Sequence, residues 1–268
     1  MANVLDGNKA KTARRVIEVL EFFDEQNRQA TVMDIARRYN RPQSSTSELL
    51  ASLVELGVLY REPDSRSYSL TPRAAILGSL SQPEMVRDGG LATLISRLSA
   101  QTGLGVALLG MVGLTTQVFR WTPGSKYLPT AQGDLRNGAQ DSLCDSPAGR
   151  LLLSTIRTER RDGMIRRLNA EAPDGRNFNT AEMSRHVQEL GWQGHAAGSA
   201  GFGSSAQMAA VLVPNEPGER PMVLSFLYEP SEEIDPAALV ALLQRSVQRC
   251  ATHAMNGAAD LDVVSSAA

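Results

Sequence analysis

The sequence predicts an α+β chain in two parts, and three observations carry that reading. Apolar residues recur at helical spacing between Ala13 and Leu56, and a short strand-like hairpin follows them. Beyond residue 100 several strand-like runs alternate with helical segments, the pattern of a mainly antiparallel sheet flanked by helices. The 268 residues are enough for one large domain or two ordinary ones.

In the first part, residues 12–26 place Ala13, Val16, Ile17, Leu20 and Phe23 on one face of a helix. Thr31 then precedes Val32-Met33-Asp34 as an N-cap with an acid in the first turn. Ile35, Ala36 and Tyr39 form the apolar side of this short second helix. Asn40 ends it, because proline at 42 disfavours the helical region at Arg41. A third helix is expected to start at Ser44 or Ser45, with Leu49, Leu50, Leu53 and Leu56 on one face and Gly57 just past its end. Residues 58–61 and 67–70 then flank the turn Pro63-Asp64-Ser65-Arg66 as a hairpin.

Two helices, a short turn, a third helix and a hairpin are the order of a winged helix-turn-helix. The third helix opens with Gln43, Ser44, Ser45, Thr46 and Ser47, polar side chains short enough to approach base edges and phosphates. Just before it, residues 37–47 carry Arg37, Arg38 and Arg41 and no acid. Such modules also serve to bind protein, and the serines would then be only caps; the acid-free basic stretch beside a polar helix face favours DNA.

Global charge hides this. The chain has 27 basic and 29 acidic residues, a net of −2, yet residues 1–80 sum to +1 and residues 81–268 to −3. Local patches, not totals, set the field that a phosphate feels within a Debye length. With 42% hydrophobic and 21% charged residues the chain is globular rather than disordered. Its longest apolar run, residues 106–114, is too short to span a bilayer, and its first residues have no apolar core of a secretory signal. A cytoplasmic protein without membrane contact is expected. Cys144 and Cys250 make neither a disulfide framework nor a metal cluster, and His186, His195 and His253 are scattered.

In the second part, residues 74–85 read as a linker around Gly78 and Pro83, and residues 84–101 as a helix bearing Met85, Leu91, Leu94, Ile95 and Leu98. Residues 106–109 and 117–120 form a hairpin around Gly113. The polar segment 122–141 is long for a connection, which suits a ligand-covering loop. Ser146 caps a helix with Pro147 at its first position, and helices follow over 158–169 and 180–190. Strands are expected over 192–197, 207–213 and 222–228, then a helix from Pro236 to about Met255 and a flexible tail over 257–268. The domain boundaries expected are thus 1–80, a linker helix over 81–102, and 103–256.

The run from Ala13 to Leu70 resembles the N-terminal domain of the isocitrate-lyase-regulator (IclR) family of bacterial transcription factors. The likeness rests on Val19-Leu20-Glu21-Phe22-Phe23, on Thr31 to Ala36, on Ser44-Ser45-Thr46-Ser47-Glu48-Leu49-Leu50 with Leu53 and Gly57, and on Tyr68-Ser69-Leu70. Two positions depart from the family's usual residues: Gln43, where a basic residue is common, and Glu48, where an arginine is. An acid facing DNA repels phosphate, so Glu48 meets a cytosine edge, meets a neighbouring arginine, or points off the interface.

The likeness continues through Ser146-Pro147-Ala148-Gly149-Arg150-Leu151-Leu152-Leu153, Val187 to Trp192, Met208 to Val213 and Leu224 to Pro230. It implies a GAF-like effector-binding domain. By that resemblance Cys144, Ser146, Pro147 and Ala148 face a ligand from one side, and Gln207, Phe226 and Tyr228 face it from the sheet. Two aromatic rings there suit an aromatic acid or a phenol, unless both rings are ordinary core residues.

Enzyme readings lack the spacing they need. Residues 198–205 (GSAGFGSS) lack the order of a dinucleotide loop, no Gly-Lys-Ser/Thr follows, and a flexible ligand gate or bulge is the simpler reading. No base is spaced to activate Cys144. No catalytic residue, metal or cofactor is assigned. The sequence reads as a ligand-responsive regulator of a catabolic operon, with repression rather than activation as the expected sign. Arg37, Arg38, Arg41, Gln43 to Ser47, and the wing arginines Arg61 and Arg66 are its DNA contacts. The resemblance implies a homodimer, or a dimer of dimers, on a pseudo-palindromic operator. A small-molecule-metabolising α+β enzyme and a protein-interaction module are the alternatives.

Overall fold

A computed structural model describes residues 8–24, 27–79, 90–126, 133–173, 175–215, 218–231 and 234–265. The chain divides into two compact units, Met1–Gln82 and Pro83–Ala268.

The first unit contains α1 (Asn8–Phe22), α2 (Val32–Arg38), α3 (Gln43–Glu55), the strands β1 (Leu59–Arg61) and β2 (Tyr68–Leu70), and α4 (Pro72–Ser79). Helix α1 stops earlier than its apolar spacing suggests, because the Asp24 carboxylate turns the chain by accepting the Asn27 N–H at 2.7 Å. Helix α2 has a full capping box: the Thr31 hydroxyl accepts from the Asp34 N–H, and the Asp34 carboxylate accepts from the Thr31 N–H. The Thr31 hydroxyl also donates to Asp34 Oδ2 at 2.7 Å, and this bond, ahead of the one from the Thr31 N–H, holds the Asp34 carboxyl below its ordinary range. Asn40, at φ +49°, makes the left-handed step between α2 and α3, and Gly57, at φ +69°, makes the one after α3.

Val19, Ile35, Leu50, Leu53, Leu59 and Tyr68 close the core between the three helices and the hairpin. The wing pairs Leu59 with Leu70 and Arg61 with Tyr68, and a bridge from Ala30 to Tyr68 adds a third backbone. Leu56 departs from expectation. It caps the end of α3, where the helix face has turned outward, and it is exposed. Residues 72–79 form helix α4, which overlaps the start of the segment read as a linker; the rest of that segment, with Met85, lies outside the described residues.

The second unit is built on a six-stranded, fully antiparallel sheet. It contains α5 (Gly90–Thr102), β3 (Gly105–Val112), β4 (Thr115–Thr122), β5 (Gln140–Ser142), α6 (Pro147–Ser154), α7 (Thr158–Ala170), α8 (Thr180–Gln193), β6 (His195–Ser199), β7 (Gln207–Val213), β8 (Met222–Tyr228) and α9 (Pro236–Ser265). The strand order is β5-β4-β3-β8-β7-β6. Helix α8 runs on to Gln193, where Gly194 closes it in the left-handed conformation, so Trp192 is helical and 77% exposed rather than the start of a strand. Helix α9 likewise passes Met255 and continues to Ser265 through the segment expected to be a flexible tail.

Helices cover both faces of this sheet, so β3 and β8 are buried on both sides. On one face Leu91, Leu94, Ile95 and Leu98 of α5 and Leu243 and Val247 of α9 pack on Val106, Val211, Leu224 and Phe226. On the other, Leu151 and Leu152 of α6, with Ile165 of α7 and Val187 of α8, pack on Ala107, Leu109, Met208, Ala210, Val223 and Leu227.

Candidate functional site

In the first unit, α2, the turn and α3 present a polar surface. Arg37 and Arg38 lie exposed on the last turn of α2, where cations also oppose the negative end of the helix dipole. Helix α3 begins at Gln43, earlier than expected, with Pro42 as its N-cap and no side chain capping its first amides. The predicted contact residues divide between the two faces of the helix. Gln43, Ser44 and Ser47 are exposed, as is Glu48, which no arginine pairs among the described residues.

Thr46 corrects the expectation of a DNA-facing side chain. It is 2% exposed, and its hydroxyl donates to the Pro42 carbonyl at 2.8 Å. Ser45 is half-buried, donating to the same carbonyl and accepting from the Arg15 guanidinium at 3.2 Å. Arg41 is not a free cation. Its Nη2 donates to Glu18 Oε1 at 2.8 Å and its Nε to Glu18 Oε2 at 3.3 Å. In the wing, the Arg61 guanidinium lies 5.9 Å from the Tyr68 ring centre, and Arg66 stands exposed at the hairpin tip with φ +53°.

Sequence reasoning missed Lys11, Arg14 and Arg15. With Arg41, Pro42 and Ser45 they line a cleft of about 370 Å³ beside the start of α3. The adjacent arginines on the polar face of α1 were the available signal. The approach of α1 to residues 41–45 was not visible in the sequence.

In the second unit the seven predicted effector residues do not form one pocket. Cys144 and Ala148 belong to the core under α6, whereas Phe226 and Tyr228 belong to the core under α5 and α9, on the opposite face of the sheet. Gln207 pairs with Tyr228 across the β7–β8 ladder and alternates with Ala209 and Val211, which also face α5 and α9. Phe226 is 0% exposed and Tyr228 3%, so both rings are packing residues. The correction has a simple cause: in a strand buried on both faces no polar alternation marks which side is which.

The residues around the start of α6 serve its fold. Ser146 is fully buried, its hydroxyl accepting the Gly149 N–H at 3.1 Å, and Pro147 occupies the first helical position. A Cβ on Gly149 would collide with the Leu143 carbonyl and the Thr116 hydroxyl, so this turn of α6 needs glycine. Arg150 donates to the Cys144 carbonyl at 2.9 Å. Burial pushes the Cys144 thiol up to about 12, which leaves it protonated and a poor nucleophile near neutrality.

An open cleft of about 420 Å³ lies next to this turn, lined by Asp141, Asp145, Arg176, Gly201, Gly203 and Ser204. Asp141 accepts the Phe202 N–H, which ties the 141–145 segment to the glycine-rich 201–204 loop. Gly201 is required there, because a Cβ would stand 2.7 Å from Asp141 Oδ2. Burial and the neighbouring Asp141 raise the Asp145 carboxyl above its ordinary range, against the pull of Arg176 and Arg150. Arg176 reaches Asp145 at 3.8 Å and is otherwise exposed. Among the described residues no His, Cys, Asp or Glu cluster is arranged to hold a metal, and no helix is long and apolar enough to cross a membrane.

The profile of the IclR helix-turn-helix domain matches residues 12–63. No curated protein sequence matches the chain significantly. Several solved structures share the fold. An IclR homolog from Microbacterium hydrocarbonoxydans, complexed with 4-hydroxybenzoate, aligns over 91% of this chain and 99% of its own at 18% identity and a TM-score of 0.57. An IclR transcriptional regulator from Alicyclobacillus acidocaldarius aligns over 93% and 98% at 21% identity and 0.55, and the Thermotoga maritima IclR over 92% and 98% at 16% identity and 0.53. Residues 12–63 are thus similar to the IclR helix-turn-helix domain, and the chain as a whole shares the fold of the IclR-family transcriptional regulators.

Proposed function

We propose that this regulator binds a pseudo-palindromic operator as a homodimer or a dimer of dimers, and that a small molecule in the second unit changes its hold on DNA. The observation that carries the DNA half is the start of α3: Gln43, Ser44 and Ser47 exposed on an uncapped first turn, with Arg37 and Arg38 exposed just before it. Gln43, Ser44 and Ser47 meet base edges and phosphates in the major groove, while Arg37, Arg38 and the wing arginines Arg61 and Arg66 hold the backbone. One winged module covers too little DNA for tight specific binding, which is why a symmetric pair is proposed. The reading includes repression of a catabolic operon, relieved by the ligand, in the cytoplasm. No step of it needs a catalytic residue or a cofactor.

The ligand half rests on the 141–145 and 201–204 cleft rather than on Phe226 and Tyr228. Two carboxylates and one arginine suit a hydroxylated organic acid: the hydroxyl donates to Asp145 or Asp141, and the carboxylate replaces Asp145 as the partner of Arg176. That a structural neighbour is complexed with 4-hydroxybenzoate, a molecule carrying both groups, supports the same class. To regulate, the ligand must bind the DNA-competent and incompetent states with different affinity.

Gel retardation on the DNA upstream of the protein's own gene tests both halves. Arg38→Glu weakens retardation by about 100-fold, since it removes one phosphate contact and adds a repulsive charge. Asp145→Ala leaves retardation intact and abolishes the response to hydroxybenzoates. Unchanged retardation by Arg38→Glu rejects the placement of α2. A response confined to simple aliphatic acids, or unaltered by Asp145→Ala, rejects the ligand class and its site.

A further inference from the structure

We propose that the cleft between α1 and the start of α3 seats one phosphate of the DNA backbone, which makes α1 part of the nucleic-acid interface. The inference rests on the regulator reading and adds a contact that the recognition helix and wing do not contain. Lys11, Arg14, Arg15 and Arg41 converge on this cleft of about 370 Å³. Glu18 neutralises Arg41, but neither Arg14 nor Arg15 has a carboxylate partner among the described residues. Like charges gathered around one cleft repel each other, and an anion placed among them relieves that repulsion.

Position decides which anion. Arg15 donates to the Ser45 hydroxyl and so ties α1 to the first turn of α3. That same turn has no side-chain cap, so its free amides and the positive end of the helix dipole add to the field at the cleft. Gln43 and Ser44 are exposed on this turn, hence a group bound in the cleft lies directly beside the residues that reach for base edges. A backbone phosphodiester flanking the groove meets all of these conditions. Holding it fixes the depth and register of α3 without reading sequence.

The test uses the full chain and a mixed-sequence 40-base-pair duplex, because non-specific binding reports phosphate contacts alone. The affinity is measured by fluorescence anisotropy across a salt series. Arg14→Ala/Arg15→Ala weakens binding about tenfold and lowers the slope of log affinity against log salt by about 0.9 per binding unit, the value for one lost phosphate. Arg14→Gln alone, at an exposed position, weakens binding about threefold. It keeps the test decisive if the double variant loses helix content by circular dichroism. Arg160→Ala, an exposed cation of α7, leaves affinity and slope unchanged. An unchanged slope in both α1 variants overturns the cleft while the regulator reading stands, and so does an equal loss in Arg160→Ala. If the unaltered chain binds no duplex at low salt, both readings fall.

Discussion

Phe226→Ala destabilises the second unit by about 3–5 kcal/mol, because it empties a fully buried ring site against α5 and α9. Both tryptophans, Trp121 and Trp192, lie in this unit, so urea unfolding followed by tryptophan fluorescence reads it without interference from the first. The expected midpoint drop accompanies an unchanged ligand preference in whatever fraction remains folded. Were Phe226 instead the wall of a ligand pocket, truncation would cost little stability and would widen or abolish ligand binding. Tyr228 obeys the same logic. Burial raises its phenol above the ordinary range, and its neighbours are the packing residues of the α5 and α9 face.

Leu50→Ala has its effect in the other unit. Leu50 is fully buried among Val19, Ile35, Leu53 and Leu59, and the cavity left behind costs about 2–5 kcal/mol. A unit of this size has a reserve of only about 3–5 kcal/mol. The variant therefore loses most of its folded helix-turn-helix at physiological temperature, and with it DNA retardation, while the tryptophan transition of the second unit stays where it was. Full retardation by Leu50→Ala with an unaltered circular dichroism spectrum contradicts the core assigned to this domain.

The parts of the fold that were legible are those set by local chemistry. Thr31 and Asp34 announce a capping box within four residues, Gly57 marks the left-handed step after α3, and Ser146-Pro147 opens α6 as a sequence motif. The winged order of the first unit and the strand runs of the second follow from periodicity that depends only on neighbours along the chain.

What escaped the sequence depends on distance or on facing. Arg41 meets Glu18 across 23 positions, so its basic stretch is less basic in space than in line. Thr46 turns inward because it precedes Leu50 by four residues and Leu53 by seven, which puts it on the buried face of α3. Phe226 and Tyr228 lie on a strand whose seven residues are all buried, Ser225 included, so no exposed side in β8 itself shows which layer the two rings face. The cleft of Asp141, Asp145, Arg176 and Gly201 joins three segments far apart in sequence. Its glycine-rich loop reads in sequence as a ligand gate or a bulge, and nothing along the chain links it to Asp141 and Asp145.

In the proposed reading the exposed residues of α2, α3 and the wing address the duplex, and the polar cleft beside α6 addresses the small molecule. Coupling between them requires a difference in ligand affinity between two states, and that can be measured on the intact chain.

Hydroxyl-radical footprinting of the DNA upstream of its own gene, with and without a hydroxybenzoate, tests the central claim most directly. The account predicts two protected half-sites, separated by about one helical turn or a multiple of it, whose protection the ligand changes. Protection that is uniform along the fragment, or discrete protection that no hydroxylated acid alters at saturating concentration, would contradict it.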